Sequence, residues 1–370
     1  MHPIWGIPIL LVVLYSMYKF VGGFGAGTSV DFLEEVIFGG YINPWATRVV
    51  ELLIPVRFIQ ELLVGEYGLI TMAITYAIAI ILPIVGYFFI FFGILEDSGY
   101  LPRFAVMVDK VFRIMGLNGK AVLPMVLGLG CDTMATMTTR ILETRKERII
   151  VTLLLALGVP CSAQLGVILG MLGGLSFKAT LWWGGVVVFV ILLVGMLASR
   201  VIPGESADFL LEIPPMRMPQ LSNIFIKTLM RVEWYLREAV PLFILGTFIL
   251  FVLDKLNILK LVEGFASPIV VGLLNLPPKA TEAFIVGFLR RDYGAAGLLT
   301  LQRDGFLDPT QVVVSLVTIT LFVPCIANFF MIVKERGLKT AIGMAVFIFP
   351  FAVLVGGVLN YILRTFDVRF

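Results

Sequence analysis

The chain has 370 residues, 59% of them hydrophobic and 14% charged, with a net charge of +3 and a mean hydropathy of +1.01. Soluble domains run at roughly 45–50% apolar and about 25% charged, so composition excludes an ordinary soluble enzyme, a disordered chain and a nucleic-acid binder, and the small net charge names no electrostatic partner. One histidine, His2, excludes a histidine-based triad or cluster, and three cysteines are too few, and odd in number, for a disulfide framework.

What remains is an all-α polytopic membrane protein. A spanning helix needs about 20 consecutive apolar residues. The first run, 3–18, lacks a basic n-region and a small-residue cleavage site, and reads as a retained first helix. Long uncharged runs follow at 68–95, 149–177, 179–199, 311–333 and 340–363, with a shorter one at 239–253 whose flanks Asp254 and Lys255 can snorkel. The expectation is about seven to eight transmembrane helices. Two further apolar stretches are interrupted: 121–139 by Pro124, Gly128, Gly130 and Asp132, and 281–302 by Gly287, Arg290, Arg291, Asp292, Gly294 and Gly297. Irregular backbone at membrane depth is tolerated only where protein or a wet cavity satisfies it, so both read as re-entrant or broken helices.

Basic residues set an orientation. Arg103, Lys110, Arg113 and Lys120, then Arg140, Arg145, Lys146 and Arg148, then Lys334, Arg336 and Lys339 mark the cytoplasmic side. The acid-rich stretch with Asp31, Glu34, Glu35, Glu51, Glu61 and Glu66 suits the outer side. The expected organisation is N-terminal transmembrane helices with an acidic outer loop over 1–95, a first repeat over 96–202 and a cytoplasmic linker over 203–237. A second repeat then covers 238–370.

The duplication rests on a short phrase. Val159-Pro160-Cys161-Ser162-Ala163-Gln164 matches Val323-Pro324-Cys325-Ile326-Ala327-Asn328 with four identities in six and amide for amide at the end. Each phrase follows an interrupted stretch, and the two spans run in opposite directions. That is the inverted repeat of many secondary transporters, which hold substrate near the midplane between discontinuous helices.

All three cysteines lie in these motifs. Proline inside a span frees the carbonyl one turn earlier, so each Pro-Cys pair places a backbone oxygen beside a polarisable sulfur. Thiolate and carboxylate together suit a first-row divalent cation, which makes Cys131, Cys161, Cys325 and Asp132 candidate metal ligands. Taken singly, each cysteine is better explained as a small buried apolar residue; taken together, three of three in helix-break motifs favour the ligand reading. Arg291 and Asp292 are candidate gating charges or a structural ion pair, with Asp292, Asp132 or Glu143 as possible partners for Arg291. Glu96 and Asp97 are a candidate exit pair or a solvated helix end, and Gln164 and Asn328 line the path. Gly119-Lys120 resembles the end of a phosphate loop, but Ile114 and Ala121 break the pattern. No bound nucleotide and no enzymatic activity are expected of this chain.

Several of these phrases resemble, in order, the membrane region of the ferrous-iron transport protein B family. They are Leu95-Glu96-Asp97-Ser98-Gly99-Tyr100, Gly116-Leu117-Asn118-Gly119-Lys120, Gly128-Leu129-Gly130-Cys131 running to Thr139-Arg140-Ile141-Leu142-Glu143, Cys161-Ser162-Ala163-Gln164-Leu165 and Val323-Pro324-Cys325-Ile326-Ala327. The opening His2-Pro3-Ile4-Trp5-Gly6 is similar as well. The resemblance implies paired gate modules and Fe(2+) as transported substrate in a bacterial or archaeal inner membrane. It implies Cys131, Cys161 and Cys325 as the family's cysteines, a GTPase on a separate chain or on an excised part, and a small accessory protein. A homo-oligomer in the lipid bilayer is compatible with it. The chain departs from the family in lacking the N-terminal G-protein domain. It carries Asp132-Thr133-Met134 for Asn-Val-Pro, Gln164 for Arg, and Arg291-Asp292 for Lys-Glu. A carboxylate gained and a guanidinium lost make the region more cation-friendly. The alternatives are a gate-domain transporter of an organic solute such as a nucleoside, with Asp132, Thr133, Thr136, Gln164, Asn328 and Arg291 as polar contacts, and a non-transporting membrane assembly subunit.

Overall fold

The structure is a computed structural model and describes residues 8–9, 12–13, 15–65, 68–204, 216–256, 258–289, 291–322 and 324–366. The described residues are helical, with no strand among them. Helices α1 (Asn43–Leu53), α2 (Arg57–Val64), α3 (Leu82–Asp97) and α4 (Tyr100–Ile114) are followed by the short α5 (Val122–Gly128) and α6 (Asp132–Thr138). Then come α7 (Arg145–Gly158), α8 (Ser162–Gly173), α9 (Phe177–Val201), α10 (Leu221–Lys255) and α11 (Ile258–Gly272). The chain closes with α12 (Lys279–Leu289), α13 (Arg291–Arg303), α14 (Pro309–Leu321), α15 (Ile326–Arg336) and α16 (Leu338–Thr365).

Five helical stretches among the described residues are long and apolar enough to cross a membrane: Ala77–Asp97, Arg145–Gly173, Phe177–Val201, Pro309–Arg336 and Leu338–Thr365. A sixth arises if Tyr100–Ile114 and Gly119–Gly128, bent by 109°, count as one span. Ile244–Leu253 and Leu261–Gly272 are apolar but shorter, and half of the expected first span, 3–18, lies outside the described residues. This is an all-α polytopic membrane protein.

The contacts divide the chain into two units, Met1–Met107 with Leu211–Leu259, and Val108–Leu210 with Lys260–Phe370. In the first unit the acid-rich stretch expected as a loop is largely helical, as wide π-helical turns over Phe32–Ile42 followed by α1 and α2. Phe38, Ala46 and Val50 are buried there, at the eight- and four-residue spacing of one helix face. Helix α10 begins at Leu221, inside the expected linker, and packs on α3: a Cβ at Gly93 would lie 3.1 Å from Ile224. Much of the rest of the linker, 205–215, lies outside the described residues.

In the second unit, sequence sets the helix boundaries by identifiable devices. Thr144 accepts from the Glu147 N–H at the start of α7, and Ser176 accepts from the Ala179 N–H at the start of α9. Asp308 and Gln311 form a capping box at α14, with Pro309 in the first turn. Gly337, at φ 86°, ends α15 and launches α16 in a conformation that costs glycine little. The two spans carrying the Pro-Cys phrases are the interior ones: 67% of the apolar window in Arg145–Gly173 and 76% in Pro309–Arg336 is buried, against 33% for Phe177–Val201 and 28% for Leu338–Thr365. The exposed faces of α9 and α16, with Val188, Phe189, Val346, Leu354 and Val358, are apolar as a lipid-facing surface must be.

Candidate functional site

Each Pro-Cys phrase falls at the midpoint of one interior span. Helix α7 ends at Gly158 and α8 starts at Ser162, while α14 ends at Leu321 and α15 starts at Ile326. The first interrupted stretch breaks at Leu129-Gly130-Cys131, between α5 and α6. This break is stitched to the first Pro-Cys phrase, because the Ser162 N–H and hydroxyl both donate to the Gly130 carbonyl, at 3.2 and 3.1 Å. The second interrupted stretch is a helical hairpin. A Cβ on Gly294 would lie 2.5 Å from the Gly287 Cα, and one on Gly297 would lie 3.1 Å from the Ala283 Cβ. The pairs 287–294 and 283–297 share a midpoint near residue 290, so α12 and α13 run antiparallel and Arg291 sits at their turn.

The two interrupted stretches meet through one buried ion pair. Arg291 Nη1 donates to Asp132 Oδ2 at 2.7 Å, and both side chains are 3% exposed. Asp132 opens α6, where the helix dipole favours a carboxylate. Arg291 opens α13, where the dipole disfavours a cation, and Asp132 together with three backbone carbonyls offsets this. Nη1 also donates to the Val159 carbonyl at 2.9 Å, and Nη2 donates to the Phe322 carbonyl at 3.2 Å and to the Ala156 carbonyl. Ala156 is the residue whose carbonyl would accept the N–H of residue 160 in a continuous helix. Residue 160 is proline, so the oxygen freed by the break is filled by the guanidinium. Of the partners open to Arg291 in the sequence, Asp132 is the one it takes. Glu143 pairs with Lys120 instead, and the side chain of Asp292, like residue 290, lies outside what is described.

The amides that close the two Pro-Cys phrases also bond between helices. Gln164 Nε2 donates to the Ile319 carbonyl in the last turn of α14 at 3.2 Å. Asn328 Oδ1 accepts from Thr136 Oγ1 on α6 at 2.8 Å. Both side chains are fully buried, and the other polar atom of each, Gln164 Oε1 and Asn328 Nδ2, has no protein partner, like Asp132 Oδ1 and Arg291 Nε.

Cys131, Cys161 and Cys325 are half-buried thiols. They flank the same breaks, and Cys325 is within electrostatic range of Arg291, Asp132 and Cys131. Among the described residues no three histidine, cysteine or acidic side chains form a group able to hold a metal ion; Asp132 is turned onto Arg291. Glu96 and Asp97 belong to the first unit and are ion-paired there. Glu96 lies 2.7 Å from Arg231 and 3.5 Å from Lys227, and Asp97 lies 3.4 Å from Lys227. Asn223 and the Gln220 N–H also donate to Asp97. Arg231 rests over the rings of Phe89 and Phe92.

The carbonyls of Val159 and Phe322 were not singled out by the sequence, although each lies one or two residues before a Pro-Cys pair. Trp183, whose Nε1 donates to Thr320 Oγ1 at 3.1 Å, ties α9 to α14 and carried no sequence signal.

A family model described as Gate, nucleoside recognition, matches residues 78–175 and 236–339, together more than half of the chain. The chain belongs to the Gate family. Each matched segment contains one Pro-Cys phrase. A second model, ferrous iron transport protein B C terminus, matches residues 180–231 of this Gate-family chain. The Fe(2+) transporter FeoB of Staphylococcus aureus (strain COL) is 26% identical over 363 residues, covering 90% of this chain and 53% of the relative. FeoB of Methanocaldococcus jannaschii is 27% identical over 374 residues, covering 91% and 54%. A fusion of Fe(2+) transport protein A with Fe(2+) transporter FeoB from Porphyromonas gingivalis is 28% identical over 263 residues, covering 68% and 29%. The chain thus spans about half the length of the first two relatives, and it resembles the membrane, gate-bearing part of ferrous-iron transport protein B.

Proposed function

We propose that this chain is the membrane permease of a ferrous-iron transport system in the bacterial or archaeal inner membrane, working with a GTPase carried outside this stretch of sequence. The observation that carries the reading is the meeting of two broken helices from the two repeats at the buried Asp132–Arg291 pair, beside all three cysteines. Broken helices whose ends face each other inside the membrane are where secondary transporters bind ions, and an ionisable pair at that depth marks function by default. Similarity to the Fe(2+) transporters of Staphylococcus and Methanocaldococcus supports Fe(2+) as the substrate.

In this reading the pair is a closed gate. A cation arriving from the acid-rich outer side engages Cys131, Cys161, Cys325 and Asp132 once Arg291 releases the carboxylate. Sulfur and oxygen together suit a borderline divalent ion held loosely enough to leave. Exit past Glu96 and Asp97 requires their release from Lys227 and Arg231, which lie on α10. Gln164 and Asn328 hold the spans in register while the tips move, and Arg291 and Asp292 are the gating charges. The Porphyromonas fusion supports a small accessory protein as partner. Purified chain in liposomes admits Fe(II), and the Cys161→Ser/Cys325→Ser double variant abolishes the flux; undiminished flux in that variant overturns the cysteine assignment.

One finding favours a second reading. The Gate model is described as nucleoside recognition, and the buried unfilled amide atoms of Gln164 and Asn328 are the donor and acceptor types that a nucleobase edge needs. Stabilisation of the protein by uridine, with no response to Fe(II) or Mn(II), selects that reading over iron.

A further inference from the structure

Four oxygens from three different elements converge on one guanidinium. They are Asp132 Oδ2 at the start of α6, the Ala156 and Val159 carbonyls at the end of α7, and the Phe322 carbonyl just past α14. Three are main-chain carbonyls at helix C-termini, where the dipole is negative, and the fourth is a carboxylate. Carboxylate and carbonyl oxygens are the donor set of a hard or borderline divalent cation. One more buried oxygen of the same residue set, Asp132 Oδ1, has no protein partner.

We propose that these four oxygens are a cation site and that the Arg291 guanidinium occupies it as a tethered stand-in, which a divalent cation must displace. This rests on the cation-transport reading and adds to it which oxygens receive the ion and which group leaves. The two occupants shape the site differently. A guanidinium is a wide planar fork that holds its acceptors apart, whereas a divalent ion draws oxygens to about 2.0–2.6 Å. Exchange of one for the other therefore pulls the ends of α7 and α14 together and expels Arg291. Because Arg291 lies at the turn of the α12–α13 hairpin, its expulsion moves that turn. Binding and opening are one event.

The test is a Mn(II) titration of the full chain in detergent, with bound metal read from loss of the aqueous Mn(II) EPR signal. Arg291→Gln removes the stand-in and binds Mn(II) at least tenfold more tightly than the unsubstituted chain. Adding Asp132→Asn to that variant weakens binding tenfold or more. Arg291→Gln binding no tighter than the parent, or a double variant that binds as tightly as Arg291→Gln, overturns the proposal. If Arg291→Gln fails to give monodisperse protein, Arg291→Lys replaces it. An ammonium reaches fewer of the four oxygens, so Mn(II) binds at least threefold more tightly than to the parent, and an unchanged affinity overturns the proposal. Liposome uptake of Fe(II) is read separately. Tightened Mn(II) binding without iron flux keeps the site and removes the transport reading, while flux with unaltered Mn(II) affinity does the reverse.

Discussion

Arg291 supplies the hydrogen-bond donor that Pro160 withholds. The Ala156 carbonyl, left without an N–H by the proline four residues on, accepts from the guanidinium of a residue 135 positions away in the chain. A side chain from the start of α13 thus completes the backbone of α7, and the same guanidinium reaches the Phe322 carbonyl beside the second Pro-Cys phrase. Helix breaks that line a transport path need such replacement donors.

This relationship yields a double-variant prediction. Arg291→Met orphans three carbonyls and leaves Asp132 buried without its charge partner, a loss of about 3–5 kcal/mol for the ion pair alone. Pro160→Ala restores the N–H for Ala156. In the Arg291→Met background it therefore regains about 1–2 kcal/mol, while in the parent it gains nothing. Thermal unfolding of the four proteins in one detergent measures the coupling.

Asp132 contributes as a charge more than as a hydrogen-bond acceptor. Asp132→Asn keeps the shape and one acceptor for Arg291 and costs less than Asp132→Ala, which leaves the guanidinium with carbonyls only. The expected ranking in melting temperature is parent, then Asp132→Asn, then Asp132→Ala, with a total loss for the alanine variant of about 3 kcal/mol or more. Differential scanning of the purified proteins gives the order.

Much of this arrangement is legible in the sequence. Uncharged runs locate the interior spans, the Pro-Cys phrases mark the two midpoints, and Asp132 and Arg291 stand out as charges among apolar residues. Their pairing is not legible: Asp292 and Glu143 offer the same chemistry, and only the tertiary approach of two breaks 159 residues apart in the chain selects Asp132. The helices at 32–64 escape a reading based on charge because their acidic residues mask an apolar stripe at Phe38, Ala46 and Val50. Of the caging carbonyls, that of Ala156 is implied by Pro160 one turn on, while those of Val159 and Phe322 are not marked by residue type.

The α12–α13 hairpin depends on glycine at its closest approach. A Cβ on Gly294 would sit 2.5 Å from the Gly287 Cα, 2.7 Å from the Ala283 carbonyl oxygen and 2.7 Å from Ile319 Cδ1. Two of these three atoms are backbone and cannot rotate away. Gly294→Ala therefore destabilises by about 1–3 kcal/mol through overpacking, whereas Gly343→Ala on α16, with nothing within 4 Å of its Cβ, shows only the helix-propensity gain of about 0.5–1 kcal/mol. The comparison controls for helix propensity.

Gln164 donates to a backbone carbonyl and Asn328 accepts from a hydroxyl, one bond each between helices, and each residue is replaceable at modest cost. Gln164→Leu and Asn328→Leu each lose a single interhelical hydrogen bond, worth about 0.6 kcal/mol on average and up to about 1.7 kcal/mol in membrane proteins. Both variants are expected to fold, with small and similar decreases in melting temperature. A loss well above this range in either variant contradicts the single-bond assignment.

The most direct test of the central claim is the initial rate of Fe(II) entry into liposomes that contain a trapped ferrous chelator, with the parent chain and with Asp132→Asn. The account predicts entry above protein-free liposomes that Mn(II) competes and uridine does not. It also predicts a reduction of at least tenfold in the folded Asp132→Asn variant. Fe(II) entry at the parent rate through folded Asp132→Asn contradicts it.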